Sequence, residues 1–251
     1  MDGSELLKKR FRELADKSYN SGVYFFTDFL GLAEQALFAE IKQSISHVPY
    51  TAFGGDEGCE RVMIRFGDEE SFGYTEKFPI VCIKAEPVSQ KFADKLTHRD
   101  FLGALLNLGI ERSTLGDIPI VDNVGYVFAK EDIAPFILSE LKRVKHTDIK
   151  LQVTENIPTG KLFKTERRKI QAVGERIDAV VAKLFSVSRS DCSALFSRKL
   201  VYVNGKLCEN TSYTPKRSEI ISVRGYGRFI YLGYETTSKK GKLNIEVELY
   251  I

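Results

Sequence analysis

Apolar residues along the first eighteen positions recur with a helical period. Leu6, Leu7, Phe11 and Leu14 fall on one face, so residues 4–18 read as an amphipathic helix. The pattern predicts a second helix from about Gly31 to Ser44, with Thr27 or Asp28 near its start. Tyr50–Phe53, Arg61–Phe66 and Phe78–Lys84 read as short strands. A helix from Arg99 to Leu108 follows, with Gly109 placed as its C-cap. Ile118–Val121 and Tyr126–Ala129 flank Asp122-Asn123 and predict a hairpin. A helix from Asp132 to Leu141 and a strand from Ile149 to Val153 close this half. Strands and helices mix without a regular βαβ beat, which places the fold in the α+β class rather than the doubly wound α/β class.

The stretch Glu155–Lys169 holds Pro158, Gly160 and the basic run Arg167, Arg168, Lys169, and reads as an exposed connector. The expected organisation is an α+β domain over residues 1–155, a basic linker over 156–172 and a second domain over 173–251. In that second domain Ile177, Val180, Val181 and Leu184 share one helix face. Ser188-Arg189-Ser190-Asp191 is a capping box for a further helix that buries Cys192, Leu195 and Phe196. Leu200–Val203 is a strand, Asn204-Gly205 a hairpin turn, and Lys206-Leu207 the returning strand. Ile220–Val223 and Arg228–Leu232 are further strands, and the alternation of Ile245, Val247 and Leu249 suggests one more.

Composition changes this picture little. A chain of 251 residues suits one large or two modest domains, and 43% hydrophobic with 28% charged residues is ordinary for a globular protein. No run approaches 18 apolar residues, so no membrane span is expected, and the N-terminus lacks the apolar stretch of a secretory signal. Cys59, Cys82, Cys192 and Cys208 form no C-x-x-C, and none is spaced as a ligand to His47, His98 or His146. Neither a zinc site nor a disulfide framework is expected, and a reducing cytoplasm fits.

Charge changes it more. The net charge of +3 hides 20 Lys+Arg against 25 Asp+Glu in residues 1–163, and 17 against 9 in residues 164–251. A basic third on an acidic body points to a polyanionic partner. Arg176, Arg189, Arg198 and Lys199 lie at helix starts and at a helix-to-strand junction, where guanidinium groups and helix N-termini suit phosphate oxygens.

The C-terminal pattern resembles the S4 RNA-binding domain. The resemblance rests on Arg176-Ile177-Asp178, Ser188-Arg189-Ser190, Val201-Tyr202-Val203-Asn204-Gly205 and Glu219-Ile220-Ile221-Ser222-Val223. Two positions depart from that pattern. Arg198-Lys199-Leu200 replaces the usual small residue or glycine, and Ser218-Glu219 replaces the usual Gly-Asp. The resemblance implies that Arg176, Ser188, Arg189, Ser190, Arg198 and Lys199 grip structured RNA, and Asn204, Lys206 and Arg228 complete the expected set. Over nearly the whole chain the sequence also resembles the YlmH family, S4-domain proteins encoded near cell-division genes in Gram-positive bacteria. Residues 53–61 (FGGDEGCER), 98–110 (HRDFLGALLNLGI) and 223–229 (VRGYGRF) carry that likeness. It implies a ribosome-associated factor that handles stalled large subunits still holding peptidyl-tRNA, with an older link to cell division. The partners it implies are rRNA, tRNA, the large ribosomal subunit and division proteins.

Other motifs lead elsewhere. Gly54-Gly55-Asp56-Glu57 resembles a diguanylate-cyclase signature, but lacks the strand after it and the metal carboxylates upstream; a tight glycine turn explains it. His98-Arg99-Asp100 lacks the downstream Asn and the Gly-rich loop of a kinase, and Thr97 with Asp100 reads as a capping box. Ile157–Lys161 lacks the first glycine of a P-loop. Asp178 is not placed as in pseudouridine synthases, where a catalytic domain follows the S4 unit. Three scattered histidines make no catalytic triad. Gly54, Gly55, Arg61, His98 and Arg99 stay as candidate ribosome contacts. Tyr202, Tyr226, Phe229 and Tyr231 either stack on bases or, as strand residues, fill the core.

The expectation is therefore a cytoplasmic RNA-binding protein without catalysis, cofactor, metal or membrane insertion. Two rivals are an RNA-modifying enzyme, with Asp56, Glu57, His98 and Asp100 gathered in an N-terminal cleft, and an adaptor of the division machinery.

Overall fold

The computed structural model describes residues 3–158, 165–238 and 241–250. They fall into two compact units, Met1–Phe163 and Lys164–Ile251. Gly160 and Lys161 of the P-loop-like stretch and Lys239 of the tail lie outside the described residues.

In the first unit, α1 (Gly3–Ser21) buries Phe11, Leu14, Ala15 and Ser18. That stripe leaves Leu6 exposed. β1 (Phe25–Phe26) is followed by α2 (Leu32–Ile41), whose last turn tightens into a 3-10 helix over Lys42–Ile45. Gly31, not Thr27 or Asp28, caps α2, and its N–H donates to the Glu34 carboxylate at 2.6 Å. Thr27 is buried and accepts the Ile64 N–H at 2.9 Å. β2 (Tyr50–Phe53) and β3 (Met63–Phe66) join β1 in a sheet of order β1-β3-β2.

A one-turn α3 (Glu69–Phe72) leads to β4 (Ile80–Pro87) and α4 (His98–Asn107). Thr97 and Asp100 close the expected capping box on α4, and Gly109 takes φ +81° just beyond its end. β5 (Ile120–Val121) and β6 (Val124–Lys130) meet at Asp122-Asn123, both at positive φ as a type I′ turn needs. α5 (Ala134–Glu140), β7 (Arg143–Val144) and β8 (Thr147–Val153) complete an antiparallel sheet of order β5-β6-β4-β8-β7. Ile83, Ala85, Val127 and Ala129 of this sheet pack with Phe101, Leu105 and Ile137 of α4 and α5.

The second unit starts earlier than its hydrophobic pattern shows. Residues 165–172, expected as the end of a linker, form β9 (Thr165–Ala172). Every one of its residues pairs with the last strand, from Thr165 opposite Tyr250 to Ala172 opposite Leu243. Only its end touches the core, through Ile170 and Ala172. Its pairing is main-chain bonding supported by ion pairs of Lys169 with Glu235 and Glu246, so it shows no apolar alternation. α6 (Ile177–Leu184) and α7 (Arg189–Ser197) follow, then β10 (Val201–Val203), β11 (Lys206–Leu207), β12 (Ile220–Val223), β13 (Gly227–Thr237) and β14 (Leu243–Tyr250). All six strands form one antiparallel sheet, β11-β10-β12-β13-β14-β9.

The two departures from the S4 pattern keep the backbone that glycine favours. Lys199 takes φ +57° and Ser218 φ +68°. At the end of α7 the Lys199 N–H donates to Phe196 and the Leu200 N–H to Leu195, the paired bonds of a Schellman motif. A left-handed lysine costs about 1–2 kcal/mol, which these bonds and the burial of Leu195 and Phe196 offset.

Gly55 shows where the first unit tolerates no side chain. It sits at φ +108°, and a Cβ there would enter the buried Phe128 ring. Gly55→Ala should destabilise the first unit by about 2–4 kcal/mol from strain and overpacking. The check is the urea midpoint of its unfolding transition; an unchanged midpoint would contradict this packing.

Candidate nucleic-acid interface

Four basic residues of the second unit, Arg176, Lys183, Arg189 and Lys242, line a cleft of about 660 Å³ beside the helix pair. Arg176 stands at the start of α6 and Lys183 near its end, seven positions on, so both look the same way. Arg189 and Ser193 come from α7. Gln171 to Gly174 form another wall, and Asp178, Thr211 and Lys242 line it too. Cys192, buried beneath, donates its thiol to the Asp178 carbonyl, and desolvation raises its pKa.

The sheet fixes this arrangement. Buried Tyr231 donates to the Glu175 carboxylate and so holds the segment that enters α6. The first amides of α6 are already engaged, with Ile177 N–H donating to the Tyr213 carbonyl at 2.7 Å. Side-chain cations therefore carry the cleft's attraction for anions, rather than the bare helix end expected from the sequence.

The sequence-predicted residues divide in this frame. Arg176 and Arg189 line the cleft. Arg176 is held by a bidentate pair with Asp178, Nη2 to Oδ2 at 2.7 Å and Nε to Oδ1 at 3.1 Å. Ser188 is the cap of α7: its Oγ accepts the Asp191 N–H at 3.1 Å and lies 2.8 Å from the Ser190 hydroxyl. Arg198 and Lys199 close α7, with Lys199 Nζ 3.6 Å from Glu209. Asn204 is a turn residue at φ +47° whose Oδ1 accepts the Ile220 N–H at 2.9 Å. Lys206 pairs with Val203 on β10. Arg228 leaves the group altogether: it alternates with buried Phe229 and faces away from the helices. Lys183 and Lys242 were missed. The seven-residue spacing from Arg176 was a usable signal for Lys183, whereas Lys242 arrives only through the pairing of distant strands.

In the first unit the expected ribosome contacts are mostly internal. Arg61 Nε donates to the Leu115 carbonyl at 2.9 Å, and Nη2 to the Phe29 and Arg112 carbonyls at 2.8 and 3.2 Å. Its own N–H donates to Asp117 at 3.0 Å. Arg112 bonds the Leu115 and Gly116 carbonyls at 2.6 and 2.9 Å. Burial, reinforced by the Arg61 charge, pushes the Arg112 guanidinium down to about 10; burial likewise pushes the Asp117 carboxyl up. Gly54 is buried against the Arg61 carbonyl and Cys59, which excludes a side chain. His98 and Arg99 do reach the surface, in the first turn of α4. Desolvation and then the charges of Arg112 and Arg99 hold the His98 imidazole below its ordinary pKa. The Asp100 carboxylate is taken up by Thr97 and by Lys145 at 3.0 Å. Tyr226 is exposed, while Phe229 and Tyr231 are buried.

Residues 75–157 match the family model "Putative RNA-binding domain in YlmH", and residues 175–221 match the S4 domain model. The chain belongs to the YlmH family of S4-domain RNA-binding proteins. The YlmH match spans the whole five-stranded sheet with α4 and α5, and the S4 match runs from the entry of α6 into β12. A relative from Bacillus subtilis (strain 168), "Ribosome-associated protein quality control protein P2", is 28% identical over 229 residues, which is 88% of this chain and 86% of that protein. A solved structure, "Cell division protein ylmH from Streptococcus pneumoniae", covers 61% of this chain and 92% of its own, at 20% identity and a TM-score of 0.49.

Two arginines separate structure from recognition. Arg61→Ala removes the guanidinium that donates to the Leu115, Phe29 and Arg112 carbonyls and should cost about 3 kcal/mol of stability. It should leave the RNA affinity of the folded molecules unchanged. Arg189→Ala should do the reverse, with an intact melting temperature and weaker RNA binding. Thermal unfolding beside fluorescence anisotropy on a labelled RNA hairpin tests the pair, and an RNA defect in Arg61→Ala at full folding would overturn the assignment.

Proposed function

We propose that the chain is a non-catalytic RNA-binding factor of the ribosome. On this reading the helix-side cleft of the second unit engages the phosphate backbone of folded rRNA or tRNA, and the protein acts on stalled large subunits. The observation that carries it is the convergence of Arg176, Lys183, Arg189 and Lys242 on one cleft. Four cations around a single groove match a polyanion whose phosphates repeat at short intervals. The family membership and the printed name of the Bacillus subtilis relative support the ribosome as the particle involved. The engagement of Asp100 by Thr97 and Lys145 weighs against the RNA-modifying reading, which needs that carboxylate free beside His98.

Sedimentation with separated ribosomal subunits tests this proposal. The protein should travel with the large subunit at low salt and dissociate as salt rises. The log–log salt slope should reflect about four phosphates at roughly 0.7–0.9 each, and Arg189→Ala should lower it by about one. Protein that stays at the top of the gradient at low salt overturns the reading, and so does a flat salt response.

A further inference from the structure

The six-stranded sheet has two faces, and α6 and α7 cover one. Val201, Ile221, Val223, Phe229, Tyr231 and Val247 are buried beneath the helices. Their neighbours in sequence point the other way. On that outer face the strand register sets one residue per strand in a row. Leu207 lies opposite Tyr202, Tyr202 opposite Ser222, and Ser222 opposite Arg228. Tyr250 of β14 lies opposite Thr165 of β9. The Arg228 guanidinium sits 3.7 Å from the Tyr250 ring centroid and joins the two halves of the row. Arg224, from the turn after β12, lies 4.7 Å from the Tyr202 ring centroid.

The row thus presents two planar cation–aromatic pairs. Tyr202 and Tyr250 are three strand spacings apart, about 14 Å. That is well beyond the roughly 3.4 Å step of stacked bases, so a strand meeting both pairs would be splayed out. Carboxylates of β13 and β14 pair with cations of β9. Glu248 is engaged by Arg167, and Glu235 and Glu246 by Lys169, toward β9. Leu207 extends the apolar end of the row and is 39% exposed. The Ser222 hydroxyl between the pairs has no hydrogen-bond partner among the described residues. Its oxygen is buried, so the row offers a base its rings and guanidinium planes rather than this hydroxyl. Aromatic rings and guanidinium planes are stacking platforms for unpaired bases, and the cations meet the phosphates between them.

We propose that this outer sheet face is a second RNA surface, one that takes unpaired bases on the Tyr202–Arg224 and Tyr250–Arg228 pairs. It rests on the reading of the chain as an RNA-binding protein, but not on the helix-side cleft. The cleft grips phosphates of folded RNA, and the sheet takes a single strand. Arg228, which the sequence grouped with the cleft residues, belongs to this face.

The test uses the full chain with two labelled RNAs, an unstructured decamer and a stable hairpin, followed by fluorescence anisotropy. The double variant Tyr202→Leu/Tyr250→Leu should weaken decamer binding about tenfold or more. Its salt slope should not change, because no charge is removed, and its hairpin affinity should shift less than about twofold. Arg189→Ala should weaken the hairpin and lower the salt slope. The protein has no tryptophan, so Tyr202→Trp supplies a single reporter that keeps a ring in place. Its fluorescence should be quenched by the decamer even in combination with Arg189→Ala. Unquenched fluorescence at saturating decamer, or equal decamer affinity in the folded double variant, overturns the sheet-face proposal while leaving the cleft untouched. Loss of ribosome co-sedimentation in the double variant, with decamer affinity intact, also overturns it and assigns the face to a protein contact. A parent chain that binds neither RNA sinks both readings together.

Discussion

Two short helices can cover one face of a six-stranded sheet, and the second unit is organised around that limit. The period-two alternation sends Phe229, Tyr231, Val247 and their neighbours under α6 and α7. Burial of that set fixes the helix pair, and the helix pair fixes which cations border the cleft. The same alternation leaves Tyr202, Ser222, Arg228 and Tyr250 on the far side. One periodicity therefore yields a groove of point charges on one face and flat cation–aromatic pairs on the other.

Among so many lysines and arginines, environment decides which ones can meet a polyanion. Arg61 and Arg112 are tied to backbone carbonyls, and the half-buried Asp117 carboxylate beside them accepts the Glu60 and Arg61 backbone N–H groups, so removing the guanidiniums would leave polar groups unmatched. Arg176 is intermediate, because Asp178 orients its guanidinium while more than half of the side chain stays exposed. Arg189 lines the cleft without such a carboxylate at salt-bridge distance among the described residues. Net charge singles out the C-terminal third of the chain, but the bonding of each guanidinium separates structural cations from available ones.

The legible parts of the sequence were those with strong local chemistry. The stripe Ile177, Val180, Val181, Leu184 forms a buried helix face, the Ser188 cap bonds Asp191, and Asn204-Gly205 makes its turn at positive φ. The alternation of Ile245, Val247 and Leu249 becomes the buried side of β14. What escaped was set by partners far away in sequence. β9 carries mostly charged residues and holds its place through β14. Lys242 enters the cleft through that same pairing. Arg61 looked like a surface contact because nothing nearby announces the carbonyls of Leu115 and Phe29. Arg228 was placed with the cleft because charge counting does not register which side of a sheet a residue occupies.

The β9–β14 pairing also constrains the order in which the second unit can assemble. Its register joins residues roughly 70–85 positions apart, whereas the α6–α7 pair and the β10–β11 and β12–β13 hairpins close over short loops. On a growing chain β9 emerges first among these elements and waits longest for its neighbour. Until β14 has been made, β9 is an unpaired basic strand and the cleft lacks Lys242. The local S4 helices can thus form before the groove is complete, so competence of this surface arrives with the last strand rather than with the helices that carry most of its cations.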